Sequence, residues 1–393
     1  MASLFDDRER DLRRATRQTD DFTFLNRAAG SGWAAVRDEH ERWFAAYCED
    51  APPDKAKDLR ARFRSSHPRQ HLGAWWELYT HRLLRALCPG RRVEVEPSLD
   101  EVRTRPDFVL LTSDGTNVEL VVESTSTVSG IVTEEDRESA LVAFVLDTID
   151  EIRCPEFQIH LDINRIGTDQ PKKRQIQAPI ERWLSELDYK EELAKRDEQP
   201  LWRRGSKRIA FRGWEIEVQP IPMRTPIEEK RLIGIGPSVA GYVADSGRIK
   251  EKVQEKGGRY GPLSAPFVVA LAPTSPILHE HDVVAGLLGT TVQQFDPDDP
   301  EGGDLHLVKD GAWSDGAEDV SAVLTGAGIA PWAVAKYSPT LWLNPDAPYP
   351  LGECSHQLQR IELTELGETT FHQPTVPIAD LLGLDAGWPG DLG

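Results

Sequence analysis

The chain has 393 residues, of which 39% are hydrophobic, so roughly 150 residues per domain allows two or three domains with real cores. No stretch approaches the ~18 consecutive apolar residues of a membrane span, and the charged first residues lack the apolar block of a secretory signal. The four cysteines form neither a CxxC motif nor a closely spaced pair. We therefore expect a soluble, cytoplasmic protein with reduced thiols and no membrane partner.

Acidic residues outnumber basic ones by 65 to 46, which gives a formal net charge of -19. Such a surface repels phosphate groups in general, so a DNA partner requires a local basic region. The segment from residue 55 to residue 69 is the richest candidate, and its arginines are Arg60, Arg62, Arg64 and Arg69. We expect these arginines to bind nucleic acid, and we expect the fold to tolerate alanine at the first three. The alternative is an ordinary solvated helix face.

The first 70 residues are predicted to form a charged helical segment that is interrupted at Pro52 and Pro53. The clearest helix runs from His71 to Cys88, where apolar residues repeat at i, i+3, i+4 and i+7. Pro89 and the glycine after it end this helix.

Three short strands are predicted next, over Arg91–Glu96, Pro106–Leu111 and Val118–Val122. Alternation along the third strand places Val121 and Glu123 on one face, and Val118 with Val122 on the other. Apolar residues on both faces indicate a strand that is covered on both sides. Glu123 then lies at or near a core, where an acid is costly unless it is paired, protonated or bound to a metal. Asp107, at the start of the second strand, is in the same position.

Residues 71–127 carry a family resemblance. A helix with a glutamate (HLGAWWELYTHRLLRAL), a strand with a Pro-Asp pair (RPDFVLL) and a strand with a glutamate near its end (NVELVVEST) follow in this order. This order resembles the catalytic core of the PD-(D/E)xK superfamily, the restriction-endonuclease-like nucleases. The resemblance implies a mixed central sheet flanked by helices, and it matches Glu77, Asp107 and Glu123 to the three acids of the family's site.

Phosphodiester hydrolysis needs a neutralised phosphate oxygen and a hydroxide at neutral pH, and a hard divalent cation on carboxylates supplies both. The resemblance therefore implies Mg²⁺ or Mn²⁺ held by Asp107 and Glu123, with Glu77 as a ligand directly or through water. On a purely structural interpretation, Asp107 caps the hairpin and Glu123 pairs with an arginine such as Arg105. Glu77 then pairs with His81.

The chain departs from the family at Thr125, where most members have a lysine two residues after the strand acid. Threonine supplies no positive charge to the attacking water or the phosphate. A helix predicted over Asp245–Arg259 offers a replacement, because Lys256 is four residues before Tyr260. This spacing is similar to a glutamine and tyrosine pair that some members carry on that helix. We expect the Lys256 ammonium group to point towards the two strand acids, and Lys252, on the same helix face, is the second choice.

The next core strand is predicted over Pro266–Leu271, which makes the residues between the two parts of the core a large insertion. A rival arrangement uses a helix over Glu138–Ile152 and a strand over Phe157–Ile163 in the same places. We favour the first arrangement.

The predicted fold class is α/β with a restriction-endonuclease-like core, a mixed central sheet flanked by helices. Its parts are an N-terminal helical segment (1–70), the first part of the core (71–127), an insertion (128–240), the second part of the core (241–280) and a C-terminal α/β extension (281–393). The resemblance implies an endonuclease dependent on Mg²⁺ or Mn²⁺ that hydrolyses DNA, with defence against foreign DNA as its role by analogy. The alternative is a catalytically inactive nuclease-fold protein that binds nucleic acid or a partner protein. Paired cuts in duplex DNA would favour a homodimer.

Overall fold

The structure is a computed structural model, which describes residues 3–13, 15–98, 104–126, 134–235, 246–260, 263–272, 279–296, 299–364 and 368–392. Contacts divide the chain into two units. Residues 1–13, 21–130 and 243–393 form the first unit, and residues 14–20 and 131–242 form the second. The insertion is predicted over nearly the same range as the larger part of the second unit, at 128–240. Within the described ranges, no helix is both long and apolar enough to cross a membrane.

The helices of the described residues are α1 (Asp21–Arg27), α2 (Ser31–Asp50), α3 (Pro53–Phe63), α4 (Pro68–Leu87), α5 (Glu134–Asp150), α6 (Lys173–Ser185), α7 (Tyr189–Glu198), α8 (Ser246–Gly257), α9 (Glu280–Leu287) and α10 (Ile378–Leu382). The strands are β1 (Arg92–Val95), β2 (Phe108–Leu111), β3 (Val118–Ser126), β4 (Phe157–Arg165), β5 (Lys207–Phe211), β6 (Trp214–Pro222), β7 (Ile233–Ile235), β8 (Phe267–Ala272), β9 (Thr290–Asp296), β10 (Asp299–Val308), β11 (Ala322–Thr325), β12 (Thr340–Leu343), β13 (Gln359–Leu363) and β14 (Thr369–His372).

The first unit contains an eight-stranded mixed sheet with the strand order β1-β2-β3-β8-β11-β12-β13-β14. Strands β1, β2 and β3 pair antiparallel, and β3 pairs in parallel with β8. Within this unit the chain therefore runs from α4 through three antiparallel strands to α8 and a parallel fourth strand. The favoured arrangement has this order, whereas β4, the strand of the rival arrangement, belongs to a different sheet.

Two apolar clusters cover the two faces of this sheet. On one face, α4 packs its tryptophans against β2, β3 and β8. On the other face, α8 and α9 pack against the same three strands. β8 is buried along its whole length, as expected for a strand that is covered on both sides. A charged side chain in the middle of this sheet is therefore withdrawn from water.

The N-terminal segment is only partly helical, because helix begins at Asp21 and residues 3–13 and 15–20 contain none. The predicted interruption is present, since α2 ends at Asp50 and α3 begins at Pro53. α4 begins at Pro68, three residues before the predicted start, because proline is tolerated in the first turn of a helix. Residues of α1, α2 and α3 share the apolar cluster of α4, so these helices help to form the core of the first unit.

A bulge in β3 changes the face on which its first residue lies. The pairing with β2 shifts register between Leu110 and Leu111, whose partners are Leu120 and Val118, so Glu119 is an extra residue. The prediction that Val118 shares a face with Val122 is therefore wrong. Val118 packs on the α8 face instead, because one inserted residue reverses the alternation of side chains.

Four of the C-terminal strands extend the same sheet, whereas β9 and β10 pair antiparallel as a separate two-stranded sheet. β11 pairs in parallel with β8, and β12, β13 and β14 follow outward from it. These strands coincide with short apolar runs of the sequence, for example TLWL in β12.

The second unit contains a four-stranded sheet with the order β5-β6-β4-β7. Its apolar cluster combines residues of α5 and α6 with residues of the sheet. Along β6, buried residues alternate with half-buried ones, so a single face of this strand contributes to the core.

Candidate active site

Asp107 and Glu123 meet where β2 begins. Phe108 is opposite Val122 in the antiparallel register, so Asp107 and Glu123 come next along the same two strands. The backbone N–H of Asp107 donates to Glu123 Oε2 at 3.3 Å, and the backbone N–H of Ser124 donates to Asp107 Oδ2 at 2.7 Å. From this point β3 continues with β8 as its partner. The two acids therefore lie at the end of the β2–β3 ladder.

Glu123 is 1% exposed and is surrounded by donors from the end of α8. Lys256 Nζ donates to Glu123 Oε1 at 2.6 Å, and Arg259 Nη1 donates to the same oxygen at 3.0 Å. Tyr260 donates its hydroxyl hydrogen to Oε2, the oxygen that also accepts from the backbone of Asp107. Lys256 thus points to Glu123, the direction expected from its spacing to Tyr260. Its role in catalysis stays a prediction.

Arg259 is a residue of this site that sequence reasoning missed. Its guanidinium joins Lys256 on Glu123 Oε1 and also lies 3.5 Å from Glu255 Oε1. About a third of its side chain is exposed, whereas Lys256 is buried. The signal was its place in the sequence, three residues after Lys256 and directly before Tyr260, in the turn that follows α8. Lys252, the second choice, pairs with Glu255 instead.

Glu77 is held by two residues of the N-terminal helices. Tyr47 of α2 donates its hydroxyl hydrogen to Glu77 Oε1 at 2.8 Å, and Arg62 of α3 donates to Oε2 at 2.8 Å. Burial raises the pKa of the Glu77 carboxyl, and Arg62 opposes this shift. The alternative pairing of Glu77 with His81 does not occur, because His81 Nε2 lies 2.9 Å from an oxygen of Asp50.

Asp107 is electrostatically linked to both other acids. Burial raises its pKa well above the usual value, and the neighbouring Glu123 and Glu77 carboxylates raise it further. Asp107 nevertheless remains partly exposed, and no described residue donates to its second oxygen, Oδ1. Burial and Glu123 also raise the pKa of Tyr260, which keeps this hydroxyl protonated as a donor. Among the described residues, Asp107 Oδ1 is therefore a carboxylate oxygen of this site that has no protein donor.

Carboxylate oxygens are the ligands that a hard cation prefers, and the binding of a metal by these three acids stays a prediction. In the described part of the chain, no group of three or more His, Cys, Asp or Glu side chains is placed to hold a metal ion. Glu77 has both oxygens bonded to Tyr47 and Arg62, so it is not a direct ligand in this arrangement. Both oxygens of Glu123 also accept protein hydrogen bonds, so Asp107 Oδ1 is the carboxylate oxygen of the three acids that has no donor among the described residues. Mg²⁺ is commonly bound by one or two carboxylates together with waters and substrate phosphates.

The structural alternative for Glu123 is replaced by other contacts, whereas that for Asp107 as a cap of the hairpin stays open. Glu123 pairs with Lys256 and Arg259 rather than with Arg105, whose backbone carbonyl accepts a hydrogen bond from Tyr260. Thr125 lies further along β3, opposite a residue of β8. The positive charge beside Glu123 therefore comes from α8 and not from the strand position at which the family usually has lysine.

The basic segment has intramolecular partners. Arg62 bonds to Glu77 and to Asp58, and Arg60 donates to the backbone carbonyl of Ser3 at 2.6 Å. Arg64 donates to the carbonyl of residue 4 and pairs with the carboxylate of residue 6, both at 2.6 Å. Arg69 is half-buried in the first turn of α4. These side chains join α3 to α4 and to the N-terminal residues, and the tolerance of the fold for alanine at the first three arginines stays a prediction.

Comparisons with protein-family profiles, with curated proteins and with solved structures give no match for this chain. The first unit is a mixed α/β fold in which a large sheet is flanked by helices. Fold and site together define a class: an α/β protein with a buried cluster of acids and cations at the end of an antiparallel strand pair.

Proposed function

We propose that this protein is a metal-dependent nuclease that hydrolyses phosphodiester bonds of DNA on a restriction-endonuclease-like core. The observation that carries the proposal is the 2.6 Å contact between Lys256 of α8 and the buried Glu123 of β3, next to Asp107. Burying an ion pair costs several kcal/mol of desolvation per ion, roughly, and an apolar replacement is often as stable. A cluster of this kind in a sheet end is therefore a candidate for chemistry rather than for stability.

The order of the elements supports the same proposal. A helix with Glu77, three antiparallel strands with Asp107 and Glu123, a helix with Lys256 and a parallel strand follow one another in the first unit. This order agrees with the one that the family resemblance implies, with Glu77 on the helix, Asp107 directly before β2 and Glu123 on β3.

The proposed role of each residue follows from how exposed its side chain is. Asp107, whose Oδ1 has no donor among the described residues, is the first ligand for a divalent cation. Glu123 is the second, and it would exchange one of its protein donors for the cation. A bound Mg²⁺ would supply neutralisation of a phosphate oxygen and activation of water. Lys256, buried beside Glu123, orients that carboxylate and offers its charge close to the acids. Arg259, which is more exposed, is placed to contact a substrate phosphate.

A second candidate is a catalytically inactive nuclease-fold protein that binds nucleic acid or a partner protein. The observation that favours it is the saturation of two of the acids: both oxygens of Glu123 and both oxygens of Glu77 already accept hydrogen bonds from protein donors. On this alternative Lys256 and Arg259 neutralise Glu123 permanently, and no cation binds.

The test is incubation of the purified protein with supercoiled plasmid DNA in Mg²⁺, in Mn²⁺ and in EDTA. Metal binding is measured separately by calorimetric titration with Mn²⁺. We expect cleavage with either metal and none in EDTA, and Asp107→Asn should abolish both cleavage and Mn²⁺ binding. Glu119→Gln is the matched control, because it removes a carboxylate from the same strand, where Glu119 pairs with Arg91 at 2.5 Å.

Two results would contradict the proposal. Cleavage that survives Asp107→Asn would move the chemistry to another place in the chain. A wild-type protein that neither binds Mn²⁺ nor cuts DNA would favour the inactive alternative, and retention on a DNA column would then separate a nucleic-acid partner from a protein partner.

A further inference from the structure

A cavity in the first unit has two cysteines in its wall. It has a volume of about 470 Å³ and lies between the C-terminal end of α4, the strands β2, β3 and β8, and the segment 350–358. Most of its lining is aliphatic, and the cavity is partly open. Cys88 and Cys354 both contribute to the lining. Small reagents dissolved in water can therefore reach the place where these two residues lie.

Two independent contacts bring the cysteines together. Cys354 belongs to a 3₁₀ helix, Glu353–Gln357, and Gln357 Nε2 donates to the backbone carbonyl of Leu87 at 2.8 Å. Leu87 is the last residue of α4 and directly precedes Cys88. Cys354 is also close enough to Cys88 to raise the pKa of its thiol. The two sulfur atoms are therefore neighbours although the residues are far apart in the sequence.

The two thiols differ in accessibility. Cys88 is 5% exposed, and burial together with Cys354 raises the pKa of its thiol to about 12. Cys354 is half-buried. Because Cys354 is the more exposed of the two, it is the residue that a dissolved disulfide meets first. Cys88 is then in place to react with the mixed disulfide.

We propose that Cys88 and Cys354 are a redox modification site that forms a reversible intramolecular disulfide in the cavity wall. The co-reactant is a low-molecular-weight disulfide such as oxidised glutathione. The Cys354 thiolate attacks it, forms a mixed disulfide and releases one thiolate. The Cys88 thiolate then attacks the Cys354 sulfur, forms the protein disulfide and releases the second thiolate. In total, two protein thiols are oxidised to one disulfide and one small disulfide is reduced to two thiols, which take the two protons.

A disulfide fits the site better than a thiol-bound metal ion does. Structural zinc sites have four protein ligands, and in the described residues no third Cys, His, Asp or Glu joins this pair to form a metal-binding group. The bond would join the end of α4 to the segment 350–358. It would constrain the unfolded chain over a long loop, so the oxidised protein should unfold at a higher temperature than the reduced protein.

The experiment treats the full chain with oxidised glutathione, blocks the remaining thiols with iodoacetamide, and maps the digested peptides by mass spectrometry. We expect a peptide pair linked through Cys88 and Cys354, which dithiothreitol separates, and a higher melting temperature for the linked protein. Cys48→Ser is the matched control and should leave the linked pair unchanged. Cys88→Ser should stop the reaction at glutathione bound to Cys354.

Two outcomes would overturn the inference. One is the absence of the linked pair in oxidised wild-type protein, with Cys48 or Cys154 modified instead. The other is glutathione that stays on Cys354 in the wild-type protein. Both are read on the wild-type chain, so they do not depend on the folding of a variant. Neither depends on cleavage of DNA, so this inference and the proposed function can fail separately.

Discussion

Two glutamates on inner strands, Glu123 of β3 and Glu217 of β6, form similar ion pairs in different surroundings. Each has an arginine partner, Arg259 at 3.0 Å and Arg208 at 3.3 Å respectively. Helices cover both faces of the sheet around Glu123, and 1% of this residue is exposed. Glu217 is half-buried, and hydrogen bonds led by that from Ser206 lower its pKa. The Glu217 pair is therefore accessible to water, whereas the Glu123 pair is stabilised by hydrogen bonds from surrounding protein groups.

The comparison shows why an ion pair in a sheet has no fixed meaning. An exposed pair is worth ~0 to 1 kcal/mol and requires no special environment. A buried pair repays its desolvation only when further hydrogen bonds satisfy the remaining atoms. Glu123 has such bonds from Lys256, Tyr260 and the backbone of Asp107. The structure thus concentrates donors where an acid is most costly, and this is where we place the candidate active site.

The largest expected effect tests this contrast directly. Glu123→Gln leaves the buried Lys256 beside a neutral amide, so we expect the free energy of unfolding to fall by about 3 to 5 kcal/mol. Glu217→Gln should cause no measurable change. Urea denaturation in EDTA, followed by tryptophan fluorescence, measures both variants. Equal effects of the two substitutions would mean that burial does not distinguish the two pairs.

The second prediction concerns the cation beside Glu123. If the protein cleaves DNA, Lys256→Ala should lower the rate by ~10² to 10³, the usual loss for one preorganised charge contact. Lys252→Ala, one turn earlier on α8, removes a lysine that pairs with Glu255 and should leave the rate unchanged. Initial rates of plasmid cleavage compare the two variants. Full activity of Lys256→Ala would assign the essential cation to Arg259 or to no residue of α8.

The third prediction extends the comparison to a buried group that stays neutral. Burial lowers the pKa of His40 from 6.5 to about 4, and Trp75 Nε1 donates to His40 Nε2 at 2.9 Å. The unfolded chain takes up a proton as the pH falls below 6.5, whereas folded His40 stays neutral down to about pH 4. Stability is therefore lost across this window as the pH falls, by about 3 kcal/mol for this one group.

His40→Gln is the control for this pH dependence, because glutamine can still accept from Trp75 but does not titrate. Urea midpoints measured between pH 7 and pH 4 should fall less steeply for the variant than for the wild-type protein. Identical slopes would show that other groups cause the acid sensitivity.

The smallest effect is expected at the edge of the site. Arg62→Ala leaves Glu77 with Tyr47 as its donor, and burial already favours protonation of this carboxyl. We therefore expect a loss of about 1 to 3 kcal/mol, the cost of one buried unpaired group. Arg60→Ala, on the same helix, removes an exposed bond to Ser3 and should cost less than about 1 kcal/mol. Thermal unfolding of the two variants provides the comparison, and a larger effect of Arg60→Ala would place the important contact at the N-terminal residues instead.

Much of the fold around the site follows from local rules. The apolar repeat of α4, the proline break before α3 and the apolar runs of β2, β3 and β8 each reflect the period of one element. Lys256 lies in the last turn of α8 and Tyr260 in the turn that follows it, and both contact Glu123. The bulge at Glu119 could not be predicted from the pattern of β3 alone, because it depends on the register in which β3 pairs with β2.

The sequence by itself determined which elements form and which charged residues lie on them, because helix and strand periods act over a few residues. Only the tertiary structure decided the partners. Tyr47 and Arg62 bind Glu77 from two other helices, and Cys88 and Cys354 lie together in the wall of one cavity. These contacts join residues separated by many turns of chain, and their geometry depends on how whole helices pack on the sheet. Short-range sequence patterns do not predict this packing, so the donors around the acids could be identified only from the folded structure.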